Sequence, residues 1–122
     1  MIRKFGVSAA AALAVCAFGG AALAQVPANI AAAVASPSRP AEDTARDVVR
    51  KPGQILAFAG VKSGDTVVDF IMGGGYFSRL LSGAVGPTGT VYAYQPAEFI
   101  KFQAKYGDSL KAVAALPNVK PL

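Results

Sequence analysis

A carboxylate followed by three glycines is the part of this sequence best suited to chemistry. Residues 66–70 are rich in β-branched side chains, and Asp69 lies near the end of this run. Gly73, Gly74 and Gly75 follow, and glycine lets a backbone turn tightly and approach a ligand without a Cβ in the way. An acid at the end of a strand, beside such a loop, is typical of a site for a nucleotide-type cofactor.

The residue types that are missing exclude several classes of chemistry. The chain has no histidine, and Cys16 is its only cysteine. Histidine metal sites, Ser-His triads, disulfides within the chain and thiolate metal clusters are therefore excluded, and we expect no metal. Any reaction must use carboxylates, amides, hydroxyls, tyrosine, lysine or a bound cofactor.

Helices and strands are predicted to alternate around the glycine loop. Apolar residues at helical spacing predict a helix over residues 76–85, ended by Gly86 and Pro87. Val67 and Val68 suit a buried parallel strand. The other predicted elements are helices over 42–50, 52–59 and from 96 to about 116, and strands over 90–94 and from 119, with Phe77, Phe99 and Phe102 as expected core residues.

This order predicts an α/β fold, a Rossmann-like parallel sheet with flanking helices. About three strands are present, so the fold is expected to be incomplete, with the first strand at an open edge. A full nucleotide-binding domain of this kind usually needs about 150 residues or more. The chain is therefore interpreted as the N-terminal part of a longer domain, and the alternative is a chain that completes its sheet by pairing with another molecule.

The first 24 residues have the plan of a secretory signal peptide. Arg3 and Lys4 precede an apolar, alanine-rich stretch, and Ala22-Leu23-Ala24 is a small-x-small cleavage site. An uncleaved membrane anchor is the alternative. Residues 25–41 are predicted to be a flexible lead-in, whose alanine-rich centre from Ile30 to Ala35 is compatible with a helical turn, and residues 42–122 the α/β domain. The protein is expected to be exported, periplasmic or secreted, and to meet the membrane only during export.

Charge gives no indication of a nucleic-acid partner. Removal of Arg3 and Lys4 leaves ten basic against seven acidic residues, a net charge of +3 instead of +5. These residues are scattered, and a charge of this size is ordinary for solubility.

The segment from Val67 to Ser78 resembles the first motif of class I S-adenosylmethionine-dependent methyltransferases, written roughly Asp-x-Gly-x-Gly-x-Gly. More narrowly, Arg50-Lys51-Pro52, the Gly-Gly-Gly-Tyr-Phe run and residues 91–94 resemble predicted exported bacterial methyltransferases. The resemblance covers residues 42–122. It implies methyl transfer from the small-molecule cofactor S-adenosyl-L-methionine to an unknown acceptor, with unknown catalytic residues that lie outside the matched part.

The resemblance assigns cofactor-binding positions residue by residue. Asp69 matches the acid near the amino-acid end of the cofactor, and Gly73, Gly74 and Gly75 match the loop that packs against it. Two positions depart from the family pattern. Ile71 stands where the first glycine is usual, and Gln95 stands where an acid usually accepts hydrogen bonds from both ribose hydroxyls.

Two other functions are compatible with the pattern. One is an exported pseudoenzyme of the same fold that binds a small molecule without turnover, which Ile71, Gln95 and export itself favour. The other is a nicotinamide-dependent oxidoreductase, but its Gly-x-Gly-x-x-Gly fingerprint would need glycine at Ser78.

Overall fold

A computed structural model describes residues 25–122. The predicted signal peptide, its cleavage site and Cys16 lie outside the described residues. In chain order the elements are α1 (Ala28–Val34), α2 (Ala41–Thr44), α3 (Asp47–Arg50), α4 (Pro52–Phe58), β1 (Thr66–Phe70), α5 (Tyr76–Val85), β2 (Thr90–Tyr94), α6 (Ala97–Phe102), α7 (Lys105–Ala114) and β3 (Val119–Pro121).

The three strands form one parallel sheet in the order β1-β2-β3. Thr66 pairs with Thr90 and Phe70 with Tyr94, while Val91 of β2 pairs with Val119 of β3. Parallel neighbours require crossover connections, and helices supply both of them. The predicted fold class is confirmed, since this is a Rossmann-like α/β arrangement of parallel strands with flanking helices.

The hydrophobic core lies between one face of the sheet and the helices. The apolar spacing that predicted α5 places Leu80, Ala84 and Val85 fully inside it. Val91 and Ala93 extend from β2 into the same core, where Val113 of α7 also packs. This packing fixes α5 and the glycine loop before it against the carboxyl ends of the strands.

The opposite face of the sheet is uncovered. Val68 is 55% exposed and Phe70 is 72% exposed, and both point away from the core. Phe70 stacks on Tyr94 with ring centroids 5.1 Å apart. The prediction that Val67 and Val68 lie in a buried strand is therefore wrong for Val68, because the helices of residues 25–122 pack on the other face only.

The lead-in differs from the flexible segment that the sequence predicted. Residues 28–34 form helix α1, and the side chain of Ile30 is fully buried in the core. Asn29 fixes the helix further, since its Nδ2 donates to the carbonyl of Ala84, 2.9 Å away. An alanine-rich helix with one apolar face gains more from packing on α5 than it loses in chain entropy.

Two predicted helices are split. The segment 42–50 breaks into α2 and α3, and Lys51 then takes the left-handed conformation with φ 46° before Pro52 opens α4. The second crossover breaks at Gln103, whose backbone is extended, so α6 is short and Phe99 and Phe102 are exposed. Their predicted place in the core is wrong, and Phe77 alone of the three packs against it.

Within residues 25–122, none of the helices has the length and apolar character needed to cross a bilayer.

Candidate functional site

A cavity of about 730 Å³ opens at the carboxyl end of β1, beside the glycine loop. Its lining includes four of the six residues predicted to bind a cofactor, namely Asp69, Ile71, Gly73 and Gly74. Gly75 and Gln95, the other two, lie behind this surface. The volume falls within the range typical of small-molecule and cofactor sites.

The loop has an alternating backbone in which every second residue is left-handed. The φ angles are 62° at Ile71, 56° at Gly73 and 81° at Gly75. Positive φ costs glycine nothing, whereas a β-branched residue is strained there by roughly 1–2 kcal/mol. The three positive-φ positions are those at which the Asp-x-Gly-x-Gly-x-Gly pattern has glycine, and Ile71 is the one of them occupied by another residue.

The glycines do two different things. A Cβ built on Gly73 or Gly74 would meet no atom within 4 Å, so this part of the backbone faces open space. A Cβ on Gly75 would lie 2.6 Å from Cγ1 of Val113. Gly75 therefore allows α7 to pack against the start of α5, while Gly73 and Gly74 leave room for a ligand.

Asp69 is oriented by the helix that follows the loop. The hydroxyl of Ser78 donates to its Oδ2 over 2.6 Å, and Ser78 itself is fully buried. The Asp69 side chain is half-buried and lines the cavity. A fixed carboxylate at this point can accept hydrogen bonds from, and pair with, a cationic group in the cavity.

Gln95 supports the loop. The backbone N–H of Gly73 donates to its Oε1 over 2.8 Å, and Gln95 is only 4% exposed. Its Nε2 is buried and has no hydrogen-bond partner among the described residues. A buried amide left unpaired costs about 1–3 kcal/mol, which an acceptor group brought close to it would recover.

An ion-pair network that the sequence reasoning missed lines part of the cavity. Asp43 is 1% exposed and bonds two arginines, with Oδ1 2.6 Å from Nη2 of Arg46 and Oδ2 2.8 Å from Nε of Arg79. Arg79 also donates from Nη2 to the carbonyl of Gly74 over 2.8 Å. Asp43 is thereby connected through one side chain to the backbone of the glycine loop.

A second carboxylate, Asp47, ties α3 to the start of α5. Arg39 donates to both of its oxygens over 2.7 Å, and the Tyr76 hydroxyl donates to Oδ1 over 2.6 Å. The Arg39 hydrogen bonds hold the pKa of Asp47 below its usual value of 3.8. Burial, strengthened by the Asp47 carboxylate, raises the pKa of Tyr76 above its usual 10.0.

Three guanidinium groups surround the ring of Tyr76. The guanidinium carbons of Arg39, Arg46 and Arg50 lie 5.5, 5.2 and 4.6 Å from its centroid. Cation–π contacts of this kind contribute roughly 0.5–1 kcal/mol each at exposed sites and more when buried. These charged contacts attach residues 39–50 to the start of α5.

The signal for this network is present in the sequence. Arg39, Asp43 and Asp47 recur every four residues, and Asp43, Arg46 and Arg50 follow one another at intervals of three and four, the spacing that places charges on one helix face. Tyr76 and Arg79 have the same spacing at the start of α5. The pairing across 29 to 36 residues is tertiary and has no sequence counterpart.

The described residues contain no group of three or more His, Cys, Asp or Glu that could hold a metal ion. The candidate site is therefore a cavity defined by a strand-end acid, a left-handed loop and an arginine network. In comparisons with known proteins, the chain matches no family model, no curated protein and no solved structure.

Proposed function

We propose that the cavity binds S-adenosyl-L-methionine and that the chain is part of a methyltransferase. One observation carries the proposal: the three left-handed residues at 71, 73 and 75 directly follow an acid that lines the cavity. This backbone has the form that the Asp-x-Gly-x-Gly-x-Gly pattern requires, and it leaves Gly73 and Gly74 open to a ligand.

The polar groups around the cavity fit such a cofactor. Asp69 would pair with the ammonium group at its amino-acid end, since Ser78 leaves the carboxylate partly exposed. The backbone of Gly73 and Gly74 would lie along it. The buried Nε2 of Gln95 is a donor without a partner in the described part of the chain, and it would supply a hydrogen bond if the loop moved slightly.

The chemistry of methyl transfer places modest demands on the protein. The bound cofactor supplies an activated methyl group, which an acceptor atom takes by direct displacement while the carbon–sulfur electron pair stays on sulfur. Such a step depends chiefly on alignment and on exclusion of water. The proposal gives Asp69 and the loop a binding and orienting role and assigns no catalytic base to residues 25–122.

Calorimetric titration of the 122-residue chain with S-adenosylhomocysteine tests the proposal directly. This product keeps the ammonium group, so we expect saturable binding. In Asp69→Asn the amide oxygen can still accept the Ser78 hydrogen bond, but the charge is lost. We expect affinity to fall about tenfold or more, equivalent to about 1.4 kcal/mol.

Asp108→Asn is the matched control for that measurement. Asp108 is an exposed carboxylate on α7 that does not line the cavity, so its neutralisation should leave the affinity within twofold. The absence of any binding at millimolar ligand, or an equal effect of the two substitutions, would overturn the proposed site.

A second candidate function is a pseudoenzyme that binds the cofactor without turnover. Gln95 favours it, because its Oε1 already accepts from Gly73 and an amide cannot offer two acceptors to a ribose diol. A labelled-methyl assay with a mixed acceptor pool separates the two functions, since binding without label transfer supports the pseudoenzyme. Export to the periplasm or medium is part of both proposals.

A further inference from the structure

Two cations at the cavity have no ion pair among the residues that the structure describes. Arg50 at the end of α3 and Lys105 at the start of α7 both line the cavity and are both exposed. The other arginines near them are engaged, with Arg39 on Asp47 and Arg46 on Asp43. Arg50 and Lys105 are therefore available to a ligand.

Arg50 is held in place although it is exposed. Its guanidinium carbon lies 4.6 Å from the ring centroid of Tyr76, the shortest of the three arginine distances. The ring is fixed because Tyr76 is 3% exposed and its hydroxyl is bonded to Asp47. A cation fixed in this way loses less side-chain entropy when it binds an anion.

The charge of the cavity lining also favours an anion. Four cations line it, Arg46, Arg50, Arg79 and Lys105, against three carboxylates, Glu42, Asp43 and Asp69. The proposed cofactor has a sulfonium, an ammonium and one carboxylate, so it adds one positive charge. The excess of positive charge then grows to two, and a second ligand with negative charge would be attracted to the cavity.

We infer that the methyl acceptor carries an oxyanion group, a carboxylate or a phosphate, and that Arg50 binds this group with help from Lys105. The inference rests on the proposed function and adds the charge class of the acceptor. Asp69 and the loop bind the cofactor in this arrangement, and the Arg50 side of the cavity binds the acceptor. Guanidinium groups match oxyanions well because they donate two parallel hydrogen bonds.

Inorganic phosphate and S-adenosylhomocysteine, titrated separately and together into the 122-residue chain at low ionic strength, test the inference. We expect phosphate to bind at millimolar concentration and Arg50→Gln to weaken it at least fivefold. Lys62→Gln is the control, since Lys62 is exposed and lies outside the cavity lining. Saturating phosphate and Arg50→Gln should each leave the affinity for S-adenosylhomocysteine within twofold.

The possible outcomes separate this inference from the proposed function. Binding of S-adenosylhomocysteine without Arg50-dependent binding of phosphate would overturn the inference alone. Competition between the two ligands, or loss of S-adenosylhomocysteine affinity in Arg50→Gln, would assign Arg50 to the cofactor and would also overturn it. Phosphate binding with no binding of S-adenosylhomocysteine would overturn the proposed function. The inference about the methyl acceptor would then be overturned with it.

Discussion

Ile71 is a β-branched residue in a conformation that suits glycine. Its φ of 62° is strained, and its side chain is 43% exposed and does not belong to the core cluster, so little packing compensates for the strain. Replacing it by glycine removes about 1–2 kcal/mol of strain from the folded state. The same change makes the unfolded chain more flexible, which lowers stability by about 0.5–1 kcal/mol. We expect Ile71→Gly to raise the free energy of unfolding by about 0.5–1 kcal/mol, measured by circular dichroism in urea.

Ile55→Gly is the control for this substitution. Ile55 has similar exposure but lies inside α4, where glycine lowers stability by about 1 kcal/mol. The same change of isoleucine to glycine is therefore expected to raise the free energy of unfolding at position 71 and to lower it at position 55. Destabilisation by Ile71→Gly of the size seen with Ile55→Gly would contradict the strain at position 71.

Loss of the buried Asp43 carboxylate should cost several kcal/mol of stability. It is buried between Arg46 and Arg79, so Asp43→Asn leaves two cations without their carboxylate. Breaking a buried pair by removing one partner commonly costs about 3–5 kcal/mol, and we expect about 3 kcal/mol because Arg46 is partly exposed. Urea denaturation measures the loss.

The neighbouring Glu42 provides the comparison. Glu42 is exposed and makes no ion pair with a described residue, so Glu42→Gln should change the free energy of unfolding by less than about 0.5 kcal/mol. Equal effects of the two substitutions would mean that the Asp43 network contributes nothing specific.

At the scale of elements, α3 and α5 are joined by a contact that depends on pH. The pKa of Asp47 is lower in the folded protein than its usual 3.8, so folding favours the charged carboxylate. The resulting stability is fully present above about pH 4 and is lost as the pH falls through the folded-state pKa. The pKa of Tyr76 has the opposite shift, so its contribution is present below about pH 10 and is lost as the pH rises further.

We therefore expect Asp47→Asn to be less stable than the parent at pH 7 and to show a shallower loss of stability between about pH 5 and pH 2. Thermal unfolding followed by circular dichroism across this range measures how stability changes with pH in the parent and in Asp47→Asn. Arg39 and Tyr76 are the groups that face Asp47, and neither titrates there. Asp108→Asn, at an exposed site, should retain the parental acid slope; a parental slope in Asp47→Asn would contradict the linkage.

The elements were largely predictable where one local pattern decides them. The bounds of β1, α5, β2 and the start of β3 followed from β-branched runs, helical apolar spacing and the turn at Gly86-Pro87. The break at Gln103 has no signal in the sequence, and the full extent of the helix over residues 28–34, of which only a turn was expected, depends on its packing against α5. The same reason explains the site, where local motifs placed Asp69 and the glycines but not the partners of Asp43 and Asp47.

At the scale of the whole molecule, the sheet has one covered and one open face. Parallel sheets in α/β proteins normally have helices on both faces. Here the open face presents Val68, Phe70, Tyr92 and Tyr94, and Lys120 lies 5.7 Å from the centroid of the Tyr92 ring. A contiguous apolar surface of this kind promotes association of the chain in solution.

The double substitution Val68→Thr and Phe70→Thr tests this consequence. Threonine keeps the preference for a strand and makes the face polar, so we expect weaker concentration-dependent self-association in sedimentation-velocity measurements. The decrease in stability should be small, about 1 kcal/mol or less, because both side chains are largely exposed and the stacking of Phe70 on Tyr94 is the main interaction that the substitutions remove. Phe58→Thr is the control, since Phe58 is also exposed but belongs to α4 and not to the sheet. If both variants weaken self-association equally, any exposed phenylalanine promotes it to the same extent, and the open face of the sheet is not its specific cause.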